Sequence, residues 1–98
     1  MPLLHIEHRI ADLDTWLQDF ASRAAAREQA GVTAVCVLQA DDDPYYIVEL
    51  VSFDTMGAAQ NYQAFMREHV WLSSRPGLAS DPHSRILHEV DGLPKDAV

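Results

Sequence analysis

Apolar and polar side chains alternate along residues 3–10, near the start of the chain. Leu4 and Ile6 fall on one face of an extended segment, and His8 follows them on the same face. A period of two is the pattern of a half-buried β-strand. Residues 83–90, which follow a turn-forming Asp-Pro pair, form the last predicted strand.

Two strands and a tight turn are predicted in the middle of the chain. Residues 32–40 and 45–53 are rich in β-branched, aromatic and other apolar side chains, which favour strands. Residues 41–44 have the sequence Asp-Asp-Asp-Pro, which favours a turn because Asp bonds to nearby backbone and Pro restricts φ. A polar loop this short predicts a β-hairpin.

Two segments have the three- and four-residue spacing of amphipathic helices. The first follows Asp12, a good N-cap residue, and we expect it to continue as one helix to Gly31. The second follows Asp54 or Thr55 and ends before residues 75–77, whose Arg-Pro-Gly sequence cannot continue a helix. Its inward-facing stripe is predicted to contain Ala58, Tyr62, Phe65, Met66, His69 and Val70.

The element order β-α-β-β-α-β predicts an α+β fold with a four-stranded antiparallel sheet. Both faces of the third strand are apolar, whereas a sheet with one wet face shows polar residues at every second position. One face carries Tyr46, Val48 and Leu50, and the other carries Ile47, Val51 and Phe53. Two helices can cover only one face of this sheet, so we expect a homodimer in which a second copy covers the other.

The charge of the chain excludes some classes of partner. Its 15 acidic and 7 basic residues give a formal net charge of -8, and the basic residues form no cluster. Nucleic acid and anionic membranes are poor partners for such a chain, because both are bound through grouped Lys and Arg. With 98 residues and 48% hydrophobic content, the chain is predicted to form a single domain over residues 1–98, with residues 91–98 as a tail.

The single cysteine and the lack of targeting segments predict a cytoplasmic protein. Cys36 lies in the apolar stretch 32–38, so we expect a buried and unreactive thiol. No apolar stretch approaches the length of about 20 residues that a membrane span requires. Residues 1–9 include His, Glu and Arg, unlike a secretory signal peptide.

Two segments resemble a known group of proteins. They are residues 11–16, with the sequence Ala-Asp-Leu-Asp-Thr-Trp, and residues 42–54, from Asp-Asp-Pro through Phe-Asp. Together with the element order, they are similar to the dimeric α/β-barrel superfamily. The resemblance implies a ferredoxin-like fold that pairs into a dimeric α/β barrel. The superfamily includes antibiotic-biosynthesis-type monooxygenases, haem-degrading monooxygenases, muconolactone isomerases and small bacterial proteins without an established function.

Three residues are candidates for a catalytic site: His69, Glu49 and Tyr62. His69 shares the inward stripe of the second helix, where it would exchange protons near neutral pH or simply be satisfied at the helix end. Glu49 interrupts an apolar strand face. It would act as a general base, or it would be a carboxylate that is hydrogen-bonded at the dimer interface or reached by solvent. Tyr62 would orient a ligand or fill the core. His8 ends the apolar series of the first strand and is predicted to be structural.

No cofactor and no metal are predicted. The resemblance implies that haem-degrading relatives use a histidine on the second helix, an asparagine on the first strand and a tryptophan before the histidine. This chain has no asparagine in residues 3–10, and Ala58 and Ala59 stand where the tryptophan would be, so His69 is not expected to bind haem. His5 and His8 point to opposite sides of one strand and form no pair of metal ligands.

Three functions remain open on the sequence alone. The first is a small monooxygenase or cyclase/isomerase that acts on an apolar aromatic or polyketide-like molecule, with His69 and Glu49 as an acid–base pair. The second is a module that binds a small apolar ligand without turnover. The third is a dimerisation domain whose interior is filled by its own side chains. The fold and the resemblance support all three, because a fold alone does not determine an activity.

Overall fold

The computed structural model describes residues 1–71 and 79–92 of the chain. Its elements are β1 (Leu3–Arg9), α1 (Leu13–Ser22), α2 (Ala24–Gln29), β2 (Val32–Ala40), β3 (Asp43–Phe53), α3 (Met56–Phe65), a π-helical segment (Met66–Trp71) and β4 (Ser80–Leu87). None of the helices in this part of the chain is long and apolar enough to cross a membrane. The predicted helix stop at residues 75–77 and most of the predicted tail, residues 93–98, lie outside the described residues.

The four strands form one antiparallel sheet in the order β2-β3-β1-β4. This order and the β-α-β-β-α-β succession confirm the predicted α+β, ferredoxin-like fold. The predicted hairpin is also confirmed, because β2 pairs with β3 across the short turn. The two central strands, β1 and β3, pair with Ile6 opposite Glu49 and His8 opposite Ile47. Their register therefore decides which side chains meet in the middle of the molecule.

The helix starts are the predicted ones, because each has a side chain that caps it. Asp12 accepts a hydrogen bond from the backbone N–H of Thr15 at 2.9 Å, and Thr55 accepts one from Ala58 at 3.1 Å. Gly31 has φ of +89°, the left-handed conformation that glycine adopts readily at the end of a helical segment. Both caps and this terminator follow from local sequence alone.

The first helix is not continuous, contrary to the prediction. It is interrupted at Arg23, whose backbone leaves the helical region and whose N–H bonds to the carbonyl of Phe20, three residues earlier. Arg27, one turn later, donates Nη1 to the same carbonyl at 2.7 Å. The side chain of Arg27 thus supplies the Phe20 carbonyl with a hydrogen bond at the point where the helical backbone hydrogen bonds are interrupted.

The last strand begins and ends three residues earlier than predicted. It contains Pro82, which a strand tolerates only where the missing N–H is not needed, and β4 is an edge strand of the sheet. Asp81 has φ of +51°, and the pairing of β4 with β1 is irregular near this point. The expected Asp-Pro turn is therefore a distortion inside the strand.

The helix-covered face of the sheet holds two separate apolar clusters. The α3 cluster consists of Leu4, Ile6, Val51, Phe53, Ala59, Tyr62 and Met66. The α1 cluster consists of Ile10, Trp16 and Ile47. Burial of these side chains supplies the main stabilisation of the fold, at about 25 cal/mol for each Å² of apolar surface.

The opposite, outer face of the sheet is mainly apolar on one half and mixed on the other. On β2 and β3 it carries Ala34, Cys36, Leu38, Val48 and Leu50, and on β1 and β4 it carries Leu3, His5, Glu7, His83, Arg85 and Leu87. Cys36 lies opposite Leu50 and is exposed, so the prediction of a buried thiol is wrong for the single chain. The stretch around Cys36 is apolar on both faces, and its pattern could not show which face the helices cover.

We expect Val51→Ala to lower the free energy of unfolding by about 2 kcal/mol, because it removes buried methyl groups and leaves a cavity in the α3 cluster. Val90→Ala is the matched control, since the Val90 side chain is largely exposed and its loss should change stability by less than about 0.5 kcal/mol. Urea unfolding followed by circular dichroism measures both. Equal losses for the two variants would contradict the assignment of the core.

Candidate functional site

A buried pair of polar side chains lies at the centre of the sheet. Nε2 of His8 in β1 is 3.1 Å from a carboxylate oxygen of Glu49 in β3. The two side chains are only 1% and 5% exposed. They occupy diagonal positions of neighbouring antiparallel strands on the same face, where side chains of this length reach one another.

The pair separates the two apolar clusters. On the helix-covered face of β3, Glu49 lies between Ile47 of the α1 cluster and Val51 of the α3 cluster, and His8 is placed in the same way on β1. Among the described elements, α3 packs on β1, β3 and β4 and α2 packs on β2, but no comparable contact joins α1 or α2 to α3. The pair therefore lies on the part of the sheet between the two helical segments.

The second ring nitrogen of His8 has no hydrogen-bond partner. Nδ1 is fully buried, and it is the sole buried side-chain nitrogen or oxygen without a partner in residues 1–71 and 79–92. When Nε2 donates its proton to Glu49, Nδ1 keeps a lone pair and can accept a proton. A histidine held by a carboxylate at one nitrogen, with the other nitrogen available, is the arrangement of an oriented general base.

Two aromatic side chains connect this pair to one cation. The ring of Trp16 lies 5.4 Å from that of His8 between centroids, and 5.2 Å from the ring of Phe20, with which it stacks. The guanidinium of Arg27 lies 3.7 Å from the centre of the Phe20 ring. A continuous chain of contacts therefore runs from Arg27 to His8, and aromatic surface is its middle part.

Tyr62 lies on the other side of the pair, in the α3 cluster. Burial raises the pKa of its phenol above the ordinary value of 10.0, and the negative charge of Glu49 raises that pKa further. The nearby guanidinium of Arg27 acts in the opposite direction on the pKa of Tyr62. The phenol is thus neutral near pH 7 and can donate a hydrogen bond from its O–H.

Two of the three predicted site residues are brought together. Glu49 lies on the helix-covered face, as predicted, and its charge acts on Tyr62, which is also buried. Glu49 pairs with His8 and not with His69 as predicted. His8, which the sequence placed among structural residues, is therefore the histidine at this site.

His69 does not face the sheet, so the prediction of its inward orientation is wrong. Its side chain is 63% exposed, with Nε2 3.8 Å from the carboxylate of Glu68. The reason is the π-helical segment Met66–Trp71, whose hydrogen bonds span five residues in place of four. This wider turn sets Met66 and Trp71, five positions apart, against the α3 cluster and rotates His69 towards solvent.

Two surface grooves lie away from the pair. One, of about 370 Å³, crosses the outer face of the sheet and is lined by His5, Glu7, His83, Ser84, Arg85 and Leu87. The other, of about 550 Å³, lies between the π-helical segment and β4 and is lined by Arg67, Trp71, Pro82, His83 and Ser84. Within the described ranges, no three His, Cys, Asp or Glu side chains are grouped as metal ligands.

Comparison with known proteins identifies the fold and no more. No family model matches the chain, and no curated protein matches it either. Solved structures do: an antibiotic biosynthesis monooxygenase superposes with a TM-score of 0.67 at 16% identity, covering 92% of this chain and 99% of its own. The chain has the fold of this monooxygenase. A protein from Agrobacterium tumefaciens follows with a TM-score of 0.60 at 16% identity, covering 96% and 98% of the two chains.

A third solved structure extends the same likeness. It is a protein from Nitrosomonas europaea that is provisionally named an antibiotic biosynthesis monooxygenase, with a TM-score of 0.54 at 14% identity, covering 92% of this chain and 99% of its own. At such low identity, the monooxygenase fold of this chain is established but its activity is not. The chemistry that the chain can perform depends on the buried pair and its surroundings.

The environment of Tyr62 gives a pH prediction. At a pH between the ordinary pKa of 10.0 and the raised pKa in the fold, Tyr62 loses its proton in the unfolded chain and keeps it in the folded chain. The free energy of unfolding should therefore fall as the pH rises above about 10, and Tyr62→Phe should weaken this dependence. Tyr45→Phe is the control, because Tyr45 is exposed. Tyrosinate absorbance and urea unfolding measure it; a Tyr62→Phe variant with the same pH dependence of stability as wild type would contradict it.

Proposed function

We propose that this chain is a small monooxygenase-like enzyme that acts on an apolar aromatic or polyketide-like molecule without a cofactor. His8 is the general base, and Glu49 holds its ring in the required orientation. The observation that supports this most is Nδ1 of His8, which is buried and lacks a partner in the described part of the chain while the other nitrogen bonds to Glu49. An unsatisfied buried nitrogen costs free energy, and a substrate proton would satisfy it.

The reaction starts with transfer of a proton from an acidic C–H group of the substrate to Nδ1 of His8. In an anthrone, a tricyclic ketone with a CH₂ group between two aryl rings, the carbanion formed is an enolate that can reduce O₂. A C–O bond forms with O₂, and the peroxide anion takes the proton back from Nδ1 of His8 to give a hydroperoxide. The hydroperoxide then loses water by breaking its O–O bond and the second C–H bond. One oxygen atom remains in the quinone, the other leaves as water, and the substrate supplies all the electrons.

The surroundings of His8 suit such a substrate. Trp16 contacts His8, and the two apolar clusters lie on either side of the pair, so a ligand that reached Nδ1 would meet flat, apolar groups. Tyr62 keeps its proton at neutral pH and can donate a hydrogen bond to the carbonyl oxygen on which negative charge develops. Because water is largely excluded, this hydrogen bond would be stronger than in solvent. The same proton transfer would also begin a cyclase or isomerase reaction.

A dimerisation domain without turnover is the second candidate. Its support is the nearly complete burial of His8 and Glu49, which suits a pair enclosed by the protein's own side chains. In that case His8 would satisfy Nδ1 with an enclosed water molecule, as buried polar groups commonly do. Turnover separates the two functions, since only the enzyme consumes oxygen.

We expect the wild-type chain to convert 1,8-dihydroxyanthrone to the quinone, and Glu49→Gln and His8→Gln each to reduce kcat about 100-fold or more, because an oriented general base contributes at least that much. Quinone absorbance and oxygen uptake measure the rate. Glu68→Gln and His69→Gln are matched controls, because both side chains are mostly exposed in the π-helical segment. Circular dichroism checks that each variant is folded.

The proposed enzymatic activity is rejected if the folded wild-type chain turns over the anthrone no faster than buffer does. The dimerisation domain then becomes the better description. If the wild type is active and Glu49→Gln retains full activity, the assignment of the base is wrong. If His69→Gln lost activity while His8→Gln kept it, the catalytic histidine would be the one first predicted.

We also propose that two copies of the chain pair through the outer face of the sheet. The half of this face on β2 and β3 is apolar and includes the exposed side chain of Leu38. A monomer would leave this surface in water, whereas a dimer would bury it together with Cys36. Stable interfaces of this type bury about 1,500 Å² or more in total.

Sedimentation at low micromolar concentration should give twice the mass of the 11.0 kDa chain. Leu38→Asp should shift the equilibrium to monomer, because it places a charge in the buried apolar interface. Leu17→Asp is the matched control: Leu17 is exposed to a similar degree but lies on α1, on the other side of the sheet. A monomeric wild type, or equal dissociation by both variants, would contradict this interface.

A further inference from the structure

Arg27 is a cation buried without an opposite charge. It is only 9% exposed, and it is the sole Arg or Lys among the buried residues of the described chain. Its contacts are the carbonyl of Phe20, which accepts from Nη1 at 2.7 Å, and the face of the Phe20 ring. No carboxylate forms an ion pair with it in the described residues, whereas Arg9 and Arg23 pair with Asp43 and Asp19.

This lack of a counter-charge is unexpected in a chain with 15 acidic residues and only 7 basic ones. A guanidinium that leaves water loses hydration free energy, and one neutral carbonyl with a ring face compensates only part of that loss. The planar fork of arginine can donate two parallel hydrogen bonds to an anionic oxygen group. Arg27 thus has donors and a charge that the described residues leave without an anionic partner.

The position of Arg27 relates this cation to the proposed site. Its guanidinium packs on Phe20, Phe20 stacks on Trp16, and Trp16 contacts His8, so the base and the cation lie at the two ends of one aromatic wall. Glu49 raises the pKa of the Tyr62 phenol, whereas Arg27 and, to a smaller extent, Arg23 lower it. Tyr62 therefore lies within the electrostatic reach of Glu49 and Arg27.

We propose that Arg27 binds an anionic oxygen of the substrate, so that the site selects planar aromatic molecules carrying an ionised phenol, enol or carboxyl group over neutral ones. This inference rests on the proposed function, because it takes the substrate to lie along the wall from His8 to Arg27. The proton leaves a C–H group towards Nδ1 of His8, and the electron pair moves onto the conjugated oxygen. Tyr62 donates to the carbonyl oxygen on which this charge collects, and Arg27 binds the oxygen that is already ionised in the free substrate.

The test compares two probes of the same shape that cannot react. They are 2-naphthoate, which is anionic, and 2-naphthamide, which is neutral, and their dissociation constants are measured by quenching of tryptophan fluorescence without oxygen. Wild type should bind the naphthoate about tenfold more tightly or better, as a charge-assisted hydrogen bond provides. The net charge of -8 repels anions in general, so such a preference has to come from a local cation.

Arg27→Met keeps most of the aliphatic side chain and should bring the ratio of the two constants close to one. Arg23→Met is the matched control in the same helical region, and it should keep the preference because Asp19 already neutralises Arg23. If Arg27→Met does not fold, Arg27→Lys keeps the charge without the planar fork, and the ratio should then fall several-fold. Thermal melting confirms that each variant is folded before binding is measured.

The proposal is overturned if wild type binds neither probe, if wild type binds both equally, or if a folded Arg27→Met variant keeps the preference. Equal loss of affinity for both probes in that variant would assign Arg27 a purely structural role and overturn it too. The probes lack the reactive CH₂ group, so a negative result leaves the anthrone assay of His8 untouched. Failure of the anthrone assay, in turn, does not alter the measured preference for anions.

Discussion

The hydrogen bond between His8 and Glu49 is the interaction on which the rest of the site depends. It exists because β1 and β3 are the two central strands and pair antiparallel in a register that sets the two side chains diagonally on the helix-covered face. A shift of one residue would turn Glu49 to the outer face and leave His8 buried alone. The register is held by apolar side chains on both sides of the pair, so stability and site geometry have the same origin.

A polar pair in the middle of an apolar core has an energetic cost. Replacing such a pair by apolar side chains of similar volume is often neutral or stabilising, so its presence is not explained by stability. Here it divides the core into a cluster under α1 and a cluster under α3, and one imidazole nitrogen remains unsatisfied within the described residues. A core that leaves such a nitrogen unpaired is one in which a ligand or water completes the structure.

Two irregularities in the helices determine what surrounds this pair. The interruption at Arg23 lets Arg27 fold back onto Phe20, which brings a cation towards the aromatic wall next to His8. The π-helical segment turns His69 outwards and directs Trp71 to the core. Neither irregularity involves Pro or Gly, so the local sequence does not predict them. Only the tertiary contacts that each one permits explain it.

The sequence by itself determined the element order, the helix caps at Asp12 and Thr55 and which side chains share a face of β3 with Glu49, because periodicity and capping act within a few residues. The sequence also resembled the dimeric α/β-barrel superfamily, and superposition on a solved structure confirmed the ferredoxin-like fold. Tertiary structure decided that the partner of Glu49 is His8, 41 residues away, because strand pairing brings together positions that no local pattern relates. It also decided the exposure of Cys36 and His69, since a segment apolar on both faces does not show which side the helices cover, and a change from α to π winding rotates every later side chain.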